Sequence, residues 1–205
     1  MTEPADTLRD QFGHIDVYLF DQLLRGRIIK GMRVLDAGCG TGRNLVFLLR
    51  EGFDVWGVDE NAGNIAQVRE LAARLAPRLA ADRFRVESVE ALSLASESMD
   101  VVISSAVLHF ARDDAHWSAM VDEMWRVLAP GGILFARLAT SVGQLELRSL
   151  GGRRYRLPDG SERYVVDHEM LRETTRRLGG SLVDPLRSSV VEGLRSMGTW
   201  VLRKG

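Results

Sequence analysis

The sequence contains one cysteine, five prolines and no long uninterrupted apolar segment. Because Cys39 stands alone, a disulfide within the chain and a metal site built from several cysteines are both excluded. No segment approaches the roughly 20 apolar residues that a helix needs to cross a bilayer. Residues 1–10 are polar and acidic, whereas a secretory signal combines a basic start with an apolar segment. We therefore expect a cytoplasmic protein with no membrane partner.

The chain also lacks a large net charge. Its 27 basic and 28 acidic residues give a formal charge of −1, which provides no general attraction to nucleic acid. With 205 residues, of which 45% are hydrophobic, the chain is long enough to form one full core. We expect a single domain over residues 1–205, with an N-terminal helical segment at 1–27 and a hairpin insertion at 140–166.

A glycine-rich turn follows the first predicted strand. That strand covers residues 32–35, and a helix with one apolar face is predicted from residue 44 to residue 50. Between them the sequence reads Asp36-Ala-Gly38-Cys-Gly40-Thr-Gly42. Glycines let the backbone approach a ligand closely, and a helix start offers free N–H groups. The turn therefore predicts a site for a nucleotide-like ligand.

The spacing within this turn excludes two phosphate-binding motifs. The third glycine comes one residue too early for the dinucleotide pattern G-x-G-x-x-G, and no Gly-Lys-Ser/Thr follows as in a P-loop. Asp36 also places a carboxylate where a phosphate would otherwise sit. A ligand with a cationic end therefore fits better than a pyrophosphate, and a nicotinamide-dependent oxidoreductase is disfavoured.

A second acid ends the next predicted strand. Residues 54–58 form that strand, and Asp59 follows it 21 residues after Gly38. Nucleotide-binding α/β units place a ribose-binding carboxylate at a spacing of about 20. An ionised carboxylate can accept hydrogen bonds from two hydroxyl groups. The alternative is that Asp59 caps the following helix, a role that Asn61 could also fill.

The fourth predicted strand, residues 100–105, is rich in β-branched residues and suits a buried parallel position. Ligands of open parallel sheets bind beyond the carboxyl ends of the strands, and His109 follows this end. His109 is therefore the candidate general base. The alternative is that its ring packs the following loop. His116 and His168 are interpreted as structural.

The acid–glycine turn resembles the first motif of class I S-adenosylmethionine (SAM)-dependent methyltransferases. The segment 126–132, Arg-Val-Leu-Ala-Pro-Gly-Gly, is similar to a late signature of that family, and four motifs occur in order between residues 28 and 203. The resemblance implies a doubly wound, Rossmann-like α/β sheet of seven strands with an antiparallel last strand and helices on both faces. It also implies an enzyme that transfers the methyl group of SAM to a small-molecule acceptor, as a monomer or a homodimer.

The same resemblance implies where the cofactor binds. The methionine end of SAM would lie at the glycine turn, the ribose at Asp59, the adenine after the third strand and the sulfonium near the end of the fourth. The family usually has an acid after the third strand, whereas this sequence has Ser88 there and Glu90 two residues later. The implied cofactor-binding residues are Asp36, Gly38, Cys39, Gly40, Gly42, Asn44, Asp59, Glu60, Ser88, Val89, Ser104 and Ser105.

The acceptor is harder to predict. Segments 40–44 and 59–61 resemble the tellurite-resistance branch and its small-molecule relatives. The fourth strand ends in Ser-Ser-Ala rather than the D/N-P-P-Y/F string of amino-methylating DNA enzymes, and no cysteine is near it for cytosine C5 chemistry. The arginines of the insertion could receive an anionic substrate or only keep a hairpin edge soluble. A non-catalytic SAM-binding regulatory module is the alternative function.

Overall fold

Eleven strands and six α-helices are present in the computed structural model, which describes residues 7–144 and 146–205. The strands are β1 (Arg33–Ala37), β2 (Asp54–Asp59), β3 (Phe84–Val86), β4 (Met99–Ser105), β5 (Leu128–Ala139), β6 (Arg148–Gly151), β7 (Arg154–Arg156), β8 (Glu162–Tyr164), β9 (Ser181–Leu182), β10 (Arg187–Val191) and β11 (Arg195–Arg203). The helices are α1 (Leu8–Phe12), α2 (Val17–Leu24), α3 (Val46–Arg50), α4 (Ala62–Leu75), α5 (Asp114–Val127) and α6 (His168–Arg177). Two 3₁₀ turns, η1 (Ala81–Arg83) and η2 (Leu108–Phe110), lie between them. Among the described helices, none is both long and apolar enough to span a bilayer.

The main sheet has the strand order β10-β11-β5-β4-β1-β2-β3. Strands β1 to β5 are parallel, and β11 runs antiparallel to both β5 and β10. The central strands β1 and β4 are almost entirely buried, as expected for parallel strands covered by helices on both faces. The prediction of a seven-stranded, doubly wound sheet with an antiparallel last strand is confirmed.

Two hydrophobic cores lie on the two faces of this sheet. The larger core contains a stack of aromatic rings in which Trp117 lies 5.5 Å from Tyr164 and 6.3 Å from Trp200. Trp200 Nε1 donates a hydrogen bond to Thr175 Oγ1 at 3.0 Å, which satisfies its buried polar group. The stack joins α5, α6, β8 and β11, so it fixes the insertion against the main sheet.

Several strand and helix boundaries predicted from the sequence differ from those in the structure. The sequence predicts a strand at residues 181–186, but only the two residues of β9 are a strand there, and they pair with one end of β11. The longer strand β10 forms a hairpin with β11. The predicted hairpin in the insertion is extended by β6 into a three-stranded antiparallel sheet, β6-β7-β8. Helix α4 ends at Leu75 because Ala76, which precedes Pro77, has the extended φ of −140°.

Candidate active site

A cavity of about 600 Å³ opens at the carboxyl ends of β1, β2 and β4. Chain order reverses between β1 and β4, which is where open α/β sheets bind their ligands. The walls come from the glycine turn, the start of α4, the loop after β3, and the segment from the end of β4 into α5. The predicted residues on these walls are Gly38, Cys39, Gly40, Asn44, Asp59, Glu60, Ser88, Val89 and Ser105. Asp36, Gly42 and Ser104 do not line the cavity.

The three glycines of the turn have different surroundings, although all three have positive φ. A Cβ at Gly38 would collide with the Val107 side chain, and one at Gly42 would lie 2.9 Å from Leu71 on α4. A Cβ at Gly40 would meet no atom within 4 Å. Gly38 and Gly42 therefore allow close packing of the turn, whereas Gly40 keeps cavity space open for a ligand.

Asp59 connects the end of β2 to the glycine turn. Its Oδ2 accepts a hydrogen bond from Gly40 N at 2.9 Å, and its Oδ1 accepts from Asn61 N at 3.0 Å and Asn64 Nδ2 at 2.9 Å. Asn61, rather than Asp59, caps α4 through Gly63 N and Asn64 N. A carboxylate offers about four lone-pair sites, so one site on Asp59 is left for a ligand hydroxyl.

The N-terminal segment is attached to the glycine turn by two side chains. Asn44 is buried, and its Oδ1 accepts a hydrogen bond from Asp16 N, at the start of α2, at 3.0 Å. Arg43 crosses to the end of β4, where its Nη2 donates to Ser105 Oγ at 2.7 Å, and its Nη1 donates to His14 O at 3.5 Å. The end of β4 and the residues before α2 are therefore linked through the turn.

A cluster of three polar residues, Glu90, Arg112 and His116, lines the cavity after β3. Glu90 Oε1 lies 3.0 Å from His116 Nε2 and 3.7 Å from Arg112 Nη2. Burial acts to raise the pKa of Glu90, but a backbone hydrogen bond and His116 outweigh it and hold this pKa below its usual value. An ionised carboxylate near Ser88 thus takes the region where the family usually has its acid. His116 Nδ1 accepts a hydrogen bond from Arg112 N at 3.1 Å, which holds the ring at this wall of the cavity.

Comparisons with known proteins agree with this geometry. A family profile described as "Methyltransferase domain" matches residues 34–132, which include the glycine turn, Asp59 and the whole of β4. A ubiquinone biosynthesis O-methyltransferase of Sinorhizobium medicae is 36% identical over 107 residues, 52% of this chain and 41% of that protein. One of Azorhizobium caulinodans is 29% identical over 194 residues, 89% of this chain and 72% of that protein. The chain thus spans less than half of the first relative.

Solved structures show the same fold. A SAM-dependent methyltransferase of Methanosarcina mazei superposes with a TM-score of 0.71 at 22% identity, covering 89% of this chain and 96% of that one. The family profile thus covers just under half of this chain, and the solved structure shares its fold. The magnesium protoporphyrin IX methyltransferase of Synechocystis, solved with bound SAM, has a TM-score of 0.68 at 17% identity over 92% of this chain and 77% of that one. SAM is the cofactor that the sequence resemblance implies for this chain. TehB of Haemophilus influenzae is also similar, with a TM-score of 0.65 at 20% identity over 91% of this chain and 62% of that one.

The electrostatics of the turn fit this cofactor. Asp36 is fully buried beneath the turn, and neither of its carboxylate oxygens has a hydrogen-bond partner among the described residues. Burial raises the pKa of Asp36 to about 7, against the opposing effect of the Arg43 guanidinium. A buried carboxylate without partners is costly, and a cation bound at the adjacent turn would lower that cost. SAM carries an ammonium group and a positively charged sulfur, so the residues present suit it.

The fold buries the predicted base. His109 lies in η2, is only 7% exposed, and does not line the cavity. Its ring packs edge-on against Phe110 at 4.6 Å between centroids. Burial, aided by the positive charges of Arg163 and Arg195, lowers the pKa of His109 to about 4. The ring is therefore neutral at pH 7, and its role as a base stays a prediction.

Sequence reasoning missed Arg43, Glu90, Ala106 and His116 as cavity residues. Arg43 directly follows the three glycines, which is a usable signal for a ligand-facing side chain. Ala106 has a φ of +66°, a left-handed conformation that a non-glycine residue rarely adopts and that is found near functional sites. Nothing in the local sequence distinguishes this alanine from others. The pairing of Glu90 with His116 depends on the packing of α5 and has no local signal either.

Proposed function

We propose that this protein transfers the methyl group of SAM to a nucleophilic atom of a small-molecule acceptor. One observation carries the proposal: the cavity combines the glycine turn with a second, more apolar wall. That second wall is formed by Ala106, Val107, Phe110 and Met120. A cavity of about 600 Å³ suits a small ligand beside a cofactor.

The cofactor-holding roles follow from the contacts described above. We assign the methionine end of SAM to the turn at Gly38 and Gly40, where the field of the buried Asp36 favours a cation. A ribose hydroxyl would use the free lone pair of Asp59. The adenine would lie along Ser88 and Val89, with the Glu90 carboxylate available for its amino group. Ser105 would lie near the reacting sulfur.

When bound, SAM supplies a methyl group on positively charged sulfur, and this group moves as the acceptor's lone pair forms the new bond and the carbon–sulfur pair returns to sulfur. The residues contribute mainly alignment and exclusion of water, because the reaction disperses charge rather than creating it. The curated relatives named above are O-methyltransferases by their names, so a hydroxyl acceptor is the first class to test.

The test is calorimetric titration with SAM, S-adenosylhomocysteine and NADH, followed by a methyl-transfer assay on a panel of small phenols, acids and thiols. We expect micromolar binding of the first two ligands, no binding of NADH, and turnover of at least one acceptor class. Binding of NADH alone would overturn the proposal. Tight SAM binding without transfer to any acceptor would favour the non-catalytic regulatory module.

A further inference from the structure

The arginines of the insertion differ in how their charges are balanced. Arg153 pairs with Asp167 at 3.0 Å, and Arg154 and Arg156 both pair with Glu162, at 2.8 Å and 2.6 Å. These three serve the solubility and folding role that was one of the two interpretations of the sequence. Arg148 and Arg163, by contrast, have no carboxylate within 4.0 Å in the part of the chain that the structure describes.

Of these two unpaired residues, Arg163 lies next to the cavity. Its guanidinium carbon is 4.8 Å from the centroid of the Phe110 ring, and Phe110 lines the cavity with 58% of its surface exposed. The neighbouring Tyr164 is fixed in the buried aromatic stack, and its hydroxyl donates to Asp114 Oδ1 at 2.7 Å. Because Tyr164 cannot move freely, Arg163 is held over Phe110 by the register of β8.

The surroundings of Arg163 carry an excess of positive charge. Arg195 forms no ion pair within the described ranges. The positive charges of Arg195 and Arg163 both affect the pKa of His109 and the pKa of Asp159. Asp159 is a carboxylate that both arginines influence, and it already accepts hydrogen bonds from Ser161 N at 2.9 Å and Ser161 Oγ at 2.6 Å. Two cations thus face one carboxylate and a neutral, buried imidazole. An anion entering here would meet a positive field with unused N–H donors.

We propose that Arg163 and Phe110 form the acceptor subsite, and that the acceptor is a small organic acid. Its carboxylate would bind the guanidinium of Arg163, whose planar fork matches a carboxylate. Its apolar body would contact the exposed ring of Phe110 and the adjacent Val107. This inference rests on the proposed function, since it names the substrate class of the same cavity.

The experiment compares matched acids and amides on the full chain loaded with S-adenosylhomocysteine. The probes are 4-hydroxybenzoate against 4-hydroxybenzamide, and 4-hydroxyphenylacetate against its amide, with affinities measured by calorimetry or ligand-observed NMR. The variants are Arg163→Gln, Phe110→Ala and the control Arg148→Gln, an exposed arginine on β6, the strand of the insertion farthest from β8.

We expect each acid to bind at least about tenfold more tightly than its amide, because a charge-assisted hydrogen bond is stronger than a neutral one. Arg163→Gln should remove this preference, Phe110→Ala should weaken acid and amide alike, and Arg148→Gln should change neither. Equal binding of acid and amide, an unchanged preference in Arg163→Gln, or no binding of any probe would overturn the inference. SAM affinity is measured on the same variants, and failure of the wild type to bind SAM would instead overturn the proposed function.

Discussion

Behind the two walls of the cavity lie buried titratable groups whose pKa values are shifted in opposite directions. Beneath the glycine turn the carboxyl group of Asp36 is buried with no hydrogen-bond partner for either oxygen among the described residues, and its pKa is raised to about 7. Beside η2 an imidazole, His109, is buried next to arginines, and its pKa is lowered to about 4. Burial disfavours the charged form of both groups. The wall at the turn keeps a carboxyl group that can become an anion, whereas the wall at η2 keeps arginines that remain charged. The difference teaches that one cavity can attract a cationic group and an anionic group to separate walls.

The largest effect should come from filling the space at Gly40. In Gly40→Asn the new side chain enters the cavity, while asparagine tolerates the left-handed backbone that Gly40 has at a φ of +53°. We expect SAM affinity to fall by up to about 100-fold, since overpacking costs about 1–3 kcal/mol even where neighbours can adjust. Calorimetric titration measures the affinity.

The control for this change is Gly131→Asn. Gly131 also has positive φ and no atom within 4 Å of an added Cβ, but it lies in β5, outside the cavity lining. SAM affinity should be unchanged in this variant. Equal losses in both variants would show that backbone strain, and not cavity space, is responsible.

Removing the charge of Asp59 should have the next largest effect. Asp59→Asn replaces one of the two accepting oxygens by an NH2 group, which cannot accept a hydrogen bond. The turn therefore loosens, and the ribose loses its acceptor. We expect SAM affinity to fall by about tenfold or more, because hydrogen bonds to charged groups contribute about 1.5–3 kcal/mol. Asp54→Asn, at the other end of β2, is the matched control. Unchanged SAM affinity in a folded Asp59→Asn protein would remove the ribose assignment.

The contributions of Asp36 and His109 to stability should change with pH in opposite directions. The folded pKa of Asp36 is above its ordinary value of 3.8, so its contribution to the free energy of unfolding falls as pH rises from about 4 to about 7. The folded pKa of His109 is below its ordinary value of 6.5, so its contribution rises from about pH 4 to about 6.5.

Each slope is limited to about 1.4 kcal/mol per pH unit. Urea denaturation of Asp36→Asn and His109→Gln at several pH values measures them. Relative to the wild type, Asp36→Asn should gain stability as pH rises through this window, and His109→Gln should lose it. Parallel curves for the two variants would contradict the opposite shifts.

The smallest effect is expected for His109→Ala on the chemical step. A general base typically contributes about 100-fold to 10,000-fold, whereas a buried ring outside the cavity lining should contribute less than about tenfold. Single-turnover kinetics with an accepted substrate measures this rate. A loss of about 100-fold or more would establish His109 as the base and show that the cavity opens toward it.

Much of the fold could be predicted because it depends on local patterns. The β-branched run of β4, the glycine turn and the acid at Asp59 each carry their signal within a few residues. The β10–β11 pairing could not be predicted from the sequence, because the apolar residues of 181–186 indicate a strand as strongly as those of 187–191. The contacts of Asn44 with Asp16 and of Glu90 with His116 join residues 28 and 26 positions apart, so only the packed structure brings them together.

The hydrogen bond between Asn44 and the start of α2 has a thermodynamic consequence. If SAM stabilises the glycine turn, it also stabilises the docked N-terminal segment, and linkage requires the converse by the same factor. The amide of Asp16 then reports on the cofactor site from outside it: its hydrogen exchange should slow when SAM binds. A partner or modification that displaces residues 14–16 would reduce cofactor affinity without entering the cavity, so the first helices can act as a control element for methyl transfer.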